Sequence, residues 1–65
     1  MFKVLLVDDE VLTRTGLKYS ISWNKYNMEI VYEASGVDEA VELLHEHSDI
    51  DIIFTDIVMP VKNVL

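Results

Sequence analysis

Apolar residues fall along this chain in two patterns, short unbroken runs and helical stripes. Phe2 to Val7 is apolar apart from Lys3, and a nearly continuous short run predicts a strand covered on both faces. From Glu10 to about Ile21 the period changes. Leu12, Gly16, Leu17 and Ile21 fall near one line of a helix, with Arg14, Lys18 and Tyr19 off it. An amphipathic helix is predicted there, with Asp8 or Asp9 accepting its first amides and Lys18 toward the negative end of its dipole. Gly16 in mid-helix costs about 1 kcal/mol against alanine, which predicts either a strand packed closely at that point or a weaker helical tendency there. Ser22 to Asn27 has no clear period and reads as a connection, with Trp23 packing at the helix end.

Met28 to Glu33 alternates only roughly, but Ile30, Val31 and Tyr32 favour extended structure, so a second strand is predicted. Ser35-Gly36 breaks the chain, and Ser35 with Asp38 forms a capping box. The following helix is the most regular of the chain, with Val37, Ala40, Val41 and Leu44 at i, i+3, i+4 and i+7. His45 and His47 are two apart, point in different directions, cannot pair on a metal, and are assigned to a solvated helix end. Ile50 to Thr55 is the third strand. The order is strand, helix, strand, helix, strand. Right-handed crossovers with the first strand in the middle give a parallel sheet of order 2-1-3, one helix on each face, and a switch point between strands one and three.

The ends of two of these strands change the picture. Asp8-Asp9-Glu10 follows Val4 to Val7, and Asp56 follows Ile52 to Thr55. In parallel sheets ligands bind outside the carboxyl ends of the strands. If the two strands are neighbours, Asp8, Asp9 and Asp56 converge, and a cluster of carboxylates is tolerated when a hard cation neutralises it. The alternative is that each aspartate only caps the turn or helix that follows it. For Glu10, stabilisation of the helix start is the preferred reading.

Composition narrows the field. Sixty-five residues make at most one domain, and 51% of them are apolar, much for a chain that buries only about 60% of its unfolded surface. There is no cysteine, hence no disulfide. Twelve acidic against five basic residues give a net charge of -7, which argues against nucleic acid as a direct ligand of this segment. No run approaches the roughly 18 to 20 apolar residues that span a membrane, and a cytoplasmic location is expected.

The residues Lys3-Val4-Leu5-Leu6-Val7-Asp8-Asp9-Glu10, Glu33-Ala34 with Ser35-Gly36 and Glu39-Ala40, and Thr55-Asp56-Ile57-Val58-Met59-Pro60 together resemble the receiver domain of two-component response regulators. The wording around Ser22-Trp23 and Thr55-Asp56-Ile57 is similar to receivers that precede AraC-type DNA-binding domains. The resemblance implies an α/β, flavodoxin-like fold, here a partial receiver over residues 1–65. It also implies Asp56 as phosphoacceptor, Mg²⁺ held by Asp8, Asp9, Asp56 and the backbone carbonyl of Val58, and a sensor histidine kinase as phosphodonor. The full-length protein would then control transcription, with this segment a signalling module rather than an enzyme. In this family Met-Pro is usually followed by Asn or Asp and then Gly; here Asn63 is followed by Val64, and a β-branched residue disfavours positive φ. The family's later Ser/Thr, aromatic and Lys positions have no counterpart in these 65 residues.

Two other readings compete. A dehalogenase-like phosphatase would need an aspartate two residues after Asp56, where Val58 stands. A half-domain serving only folding or dimerisation needs no phosphotransfer. The third strand as an open edge is a hazard that a partner must cover, and a two-fold homodimer through Ile52, Ile53, Phe54, Ile57, Val58 and Val61 is expected, with Asp51 the only protection along that strand.

Overall fold

The structure, a computed structural model, describes residues 1–55. Strands β1 (Phe2–Val7), β2 (Met28–Ala34) and β3 (Ile52–Thr55) form one parallel sheet in the order β2-β1-β3. Helices α1 (Val11–Ser20) and α2 (Val37–Glu46) occupy the two crossovers. This is the predicted α/β arrangement, the flavodoxin-like receiver topology as far as its third strand, with β1 in the centre.

Burial follows from that position. Val4, Leu5 and Leu6 are fully buried and Val7 nearly so, because β1 has a strand on each side and cover on each face. Successive side chains alternate between faces. Leu5 and Val7 join Ala34 and Ala40 in the core beneath α2, with Tyr32, Leu43 and Ile50 packed at its border. Val4 and Leu6 turn to the other face, where Phe54 lies opposite Leu6 in register and meets Trp23 edge-on, ring centroids 5.2 Å apart. Trp23 is buried, and its indole N–H donates to the Lys18 carbonyl at 3.2 Å. The expectation of a packing tryptophan at the helix end is met.

The connection after α1 is more ordered than its sequence indicates. Trp23–Tyr26 is a turn of 3-10 helix, closed by Asn27 at φ 61°, a left-handed conformation asparagine adopts readily. The Asn27 carbonyl then accepts the Phe2 amide at 2.8 Å, tying the loop to the start of β1. At the other side of the sheet the Asp51 carboxylate accepts the Lys3 backbone N–H at 2.8 Å, and the Lys3 carbonyl accepts the Asp51 N–H at the same distance. Asp51 therefore serves to anchor the entry of β3 rather than to guard its edge.

The helices depart from the stripe expected of them in instructive ways. No residue of α1 is buried. Leu12 is 86% exposed and Gly16 faces open space, with nothing within 4 Å of where a Cβ would stand. Leu17 and Ile21 of that line are half-buried, and Thr13, Arg14 and Lys18 are half-buried beside them. The rotation has a cause: Arg14 and Lys18 both bond Glu33 on the adjacent strand, so polar contacts rather than the apolar line set which side of the helix turns inward. In α2 only Ala40 of the predicted stripe is buried, while Val37, Val41 and Leu44 are partly exposed along a groove. Glu39, not Asp38, reaches back to the Ser35 amide, at 2.8 Å. His45 is exposed as expected. His47 is half-buried rather than fully solvated: its ring stacks on Tyr32 at 4.2 Å, and the Tyr32 hydroxyl lies 3.0 Å from its Nδ1.

This division of labour predicts a sharp contrast between two leucines. Leu5→Ala removes a fully buried side chain of the central strand and is expected to cost about 2–5 kcal/mol in urea-induced unfolding. Leu12→Ala, on the exposed side of α1, is expected to change stability by less than about 0.5 kcal/mol in the same measurement.

Candidate functional site

The carboxyl end of β1 is where the chain first meets polarity. Asp8 is the residue after the buried run and is itself 3% exposed, whereas Asp9 and Glu10 lie on the surface. The Asp8 amide donates to the Ala34 carbonyl at 3.0 Å, extending the β1–β2 pairing by one residue. Its Oδ1 accepts the Glu10 N–H at 2.9 Å. Glu10 is the N-cap of α1, its side chain makes no capping bond, and its carbonyl accepts the Arg14 amide at 2.9 Å. The capping reading of Asp8 is thus correct for one of its two oxygens.

The other oxygen is different. Oδ2 of Asp8 is buried and has no hydrogen-bond partner among the described residues. Leaving a buried polar atom unpaired costs about 1–3 kcal/mol, and more where charge is involved. A hard cation removes that cost, because Mg²⁺ takes carboxylate oxygens as ligands. The donor chemistry and the orphaned atom both fit a cation at this point. Among the described residues Asp8 does not share the point with a full set of acidic or imidazole groups. Asp9 is exposed beside it, and Asp56, Ile57, Val58 and Val61 lie outside the described residues. Val7 pairs with Thr55 in the β1–β3 register, and Asp8 and Asp56 are the next residues of their respective strands' sequence.

Behind Asp8 stands a cluster the sequence reading did not single out. Glu33, at the end of β2, receives Arg14 Nε on Oε1 at 3.1 Å and Lys18 Nζ on Oε2 at 2.8 Å. Arg14 also donates through Nη1 to the Asp8 carbonyl at 2.7 Å, with the Ala34 carbonyl at 3.5 Å. The Lys18 hydrogen bond, with the Lys18 charge and the Arg14 contacts behind it, holds the Glu33 carboxyl below its ordinary range against the opposing effect of burial. The same bond to Glu33 raises the Lys18 ammonium. A signal was present: Arg14 and Lys18 are four apart, hence on one side of α1, across from a strand that ends on an acid.

The sequence pattern of the response regulator receiver domain matches residues 4–63. The chain belongs to the receiver domain family. It is 43% identical over 63 residues, 97% of this chain, to an uncharacterized response regulatory protein of Staphylococcus epidermidis, covering 25% of that protein. The same identity and coverage hold for the transcriptional regulatory protein HptR of Staphylococcus aureus. Among solved structures it matches the receiver domain of AraT, a response regulator from Geobacillus stearothermophilus, with a TM-score of 0.75 and 47% identity over 92% of this chain and 46% of that one. The chain thus spans about a quarter of the length of the curated relatives it matches.

The Glu33 cluster yields a pH prediction with a definite sign. A carboxyl held low in the folded state stabilises fully at pH values above the unfolded glutamate value of about 4.3, and that contribution disappears as pH falls through it toward the folded value. Glu33→Gln is therefore expected to be less stable than the unsubstituted chain near neutrality, with the difference shrinking below about pH 5. Urea unfolding over a pH series checks this; a difference that grows on acidification contradicts it.

Proposed function

We propose that this receiver chain accepts a phosphoryl group on Asp56, with Mg²⁺ held by Asp8, Asp9, Asp56 and the Val58 carbonyl. The observation that carries the reading is Oδ2 of Asp8, buried at the end of the central strand and without a partner among the described residues. The phosphodonor would be a phosphohistidine on a sensor histidine kinase. A carboxylate oxygen of Asp56 attacks phosphorus, the new O–P bond forms as the P–N bond breaks, and the imidazole leaves with the electron pair and takes up a proton. Mg²⁺, when bound, neutralises the phosphoryl oxygens and holds them in line. The chain's own contribution is placement: β1 delivers Asp8 to the sheet edge, and the Glu10 amide turns its carboxylate by holding Oδ1. In a protein as long as the relatives, phosphorylation would control transcription through a further domain; no helix among the described residues is long and apolar enough to cross a membrane. Incubation with a small acyl phosphate and excess Mg²⁺ is expected to add the mass of one phosphoryl group, and Asp56→Asn or removal of Mg²⁺ to prevent it. An unchanged mass in the unsubstituted chain contradicts the reading.

A second reading concerns assembly and rests on the edge strand. Ile53 and Phe54 of β3 are 47% and 37% exposed, and a mainly apolar groove of about 170 Å³ runs between Ile53 and Val37, Val41 and Leu44 of α2. We infer a homodimer through β3, with Ile52, Ile57, Val58 and Val61 contributing, because a two-fold contact needs only one self-complementary patch. Ile53→Lys is expected to dissociate or unfold it, read by sedimentation. A stable, compact monomer at high dilution contradicts this inference.

A further inference from the structure

Three groups fix the main chain and one carboxylate oxygen of Asp8, and one of the three is a side chain from the next helix. The Asp8 N–H is held by the Ala34 carbonyl, Oδ1 is held by the Glu10 N–H, and the Asp8 carbonyl receives Arg14 Nη1 at 2.7 Å. Arg14 is well placed to act as a strut. Its side chain is only 16% exposed, its Nε is occupied by Glu33, and its Nη1 is also near the Ala34 carbonyl, so its position is fixed from the strand side as well as from α1. A planar guanidinium can make such divergent contacts at once, whereas a lysine ammonium cannot do so with the same rigidity.

A guanidinium beside a cation site carries an electrostatic disadvantage. Glu33 offsets it: the carboxylate bonds the Arg14 Nε directly, so the field reaching Asp8 from the pair is that of a dipole rather than of a bare charge. Lys18 approaches the same carboxylate from the solvent side, with 38% of its side chain exposed, where water and salt screen it.

We propose that Arg14 is a positioning residue for the cation site, holding the Asp8 backbone so that Oδ2 presents to the ion, while Glu33 cancels the charge that Arg14 brings. This rests on the reading of Asp8 as a cation ligand. Groups that orient metal ligands typically change affinity by about 10–100-fold when removed.

The test is Mn²⁺ binding by the 65-residue chain, followed through the electron paramagnetic resonance signal of the free ion, beside circular dichroism of every variant. Arg14→Met is expected to weaken Mn²⁺ binding on the order of tenfold, and Arg14→Lys to recover part of the loss. Lys18→Met, which breaks a contact to the same acid from the exposed side, is expected to leave affinity within about twofold. Glu33→Gln keeps Arg14 but uncovers its charge, and is expected to weaken binding at low salt, with the deficit narrowing as salt is added. Should Arg14→Met fail to fold, the Glu33→Gln salt series alone decides. Equal losses in Arg14→Met and Lys18→Met, or a Glu33→Gln chain that binds like the unsubstituted one at low salt, overturn the proposal while leaving the cation site standing. An unsubstituted chain that binds no Mn²⁺ overturns the cation reading, and the proposal falls with it.

Discussion

The concealment of β1 is the constraint on which the rest of this structure depends. A strand paired on both edges and covered on both faces can carry no polar side chain in its interior, and Val4 to Val7 comply. Polarity is thereby pushed to its two ends. At the entry, Lys3 gives its amide to Asp51 and its ammonium to Asp49 at 3.0 Å, which sets where β3 begins. At the exit, Asp8 is buried because the strand delivers it there, not because its surroundings satisfy it. The same register that hides four apolar residues leaves one carboxylate oxygen without a partner among the described residues.

The two faces of the sheet solve the covering problem with different chemistry. Under α2 the contact is apolar, Ala40 and Leu43 against Leu5, Val7 and Ala34. Under α1 it is mixed: two cations on Glu33, an indole N–H on a backbone carbonyl, and a T-shaped contact between Trp23 and Phe54. Ion pairs are directional where hydrophobic burial is not. The α1 side is consequently the one that can fix the orientation of a neighbouring functional residue, and it is the side whose arginine reaches Asp8.

Legibility in the sequence followed the same division. The strand order, both helices and the acidic strand end could be read from runs and periods, because apolar burial imposes them on many residues at once. The inward side of α1 could not. The apolar line through Leu12 and Gly16 competes with two cations whose partner, Glu33, is fifteen and nineteen residues distant in sequence, and a local pattern holds no record of that partner. His47 escaped for a similar reason, since its stacking on Tyr32 joins a helix end to a strand. Asp8 was legible as a cap, and its Oδ1 does hold the Glu10 amide; the cation proposal concerns Oδ2, which finds no partner among the described residues. The candidate residues Asp56, Ile57, Val58 and Val61 lie outside the described residues.

The uneven alternation of β2 also has a physical origin. Val4 pairs with Ile30 and Leu5 with Tyr32, so Val31 is an extra residue in the ladder, a bulge. Were the strand regular, Tyr32 would stand opposite Leu6 and Glu33 opposite Val7, exchanging the faces they serve. The ring that now stacks on His47 would point at α1, and the acid would point into the apolar layer under α2. One inserted residue thus acts as a parity switch. In aligning this chain with its relatives, a gap at Val31 is not a neutral change of length but a decision about which helix receives the acid.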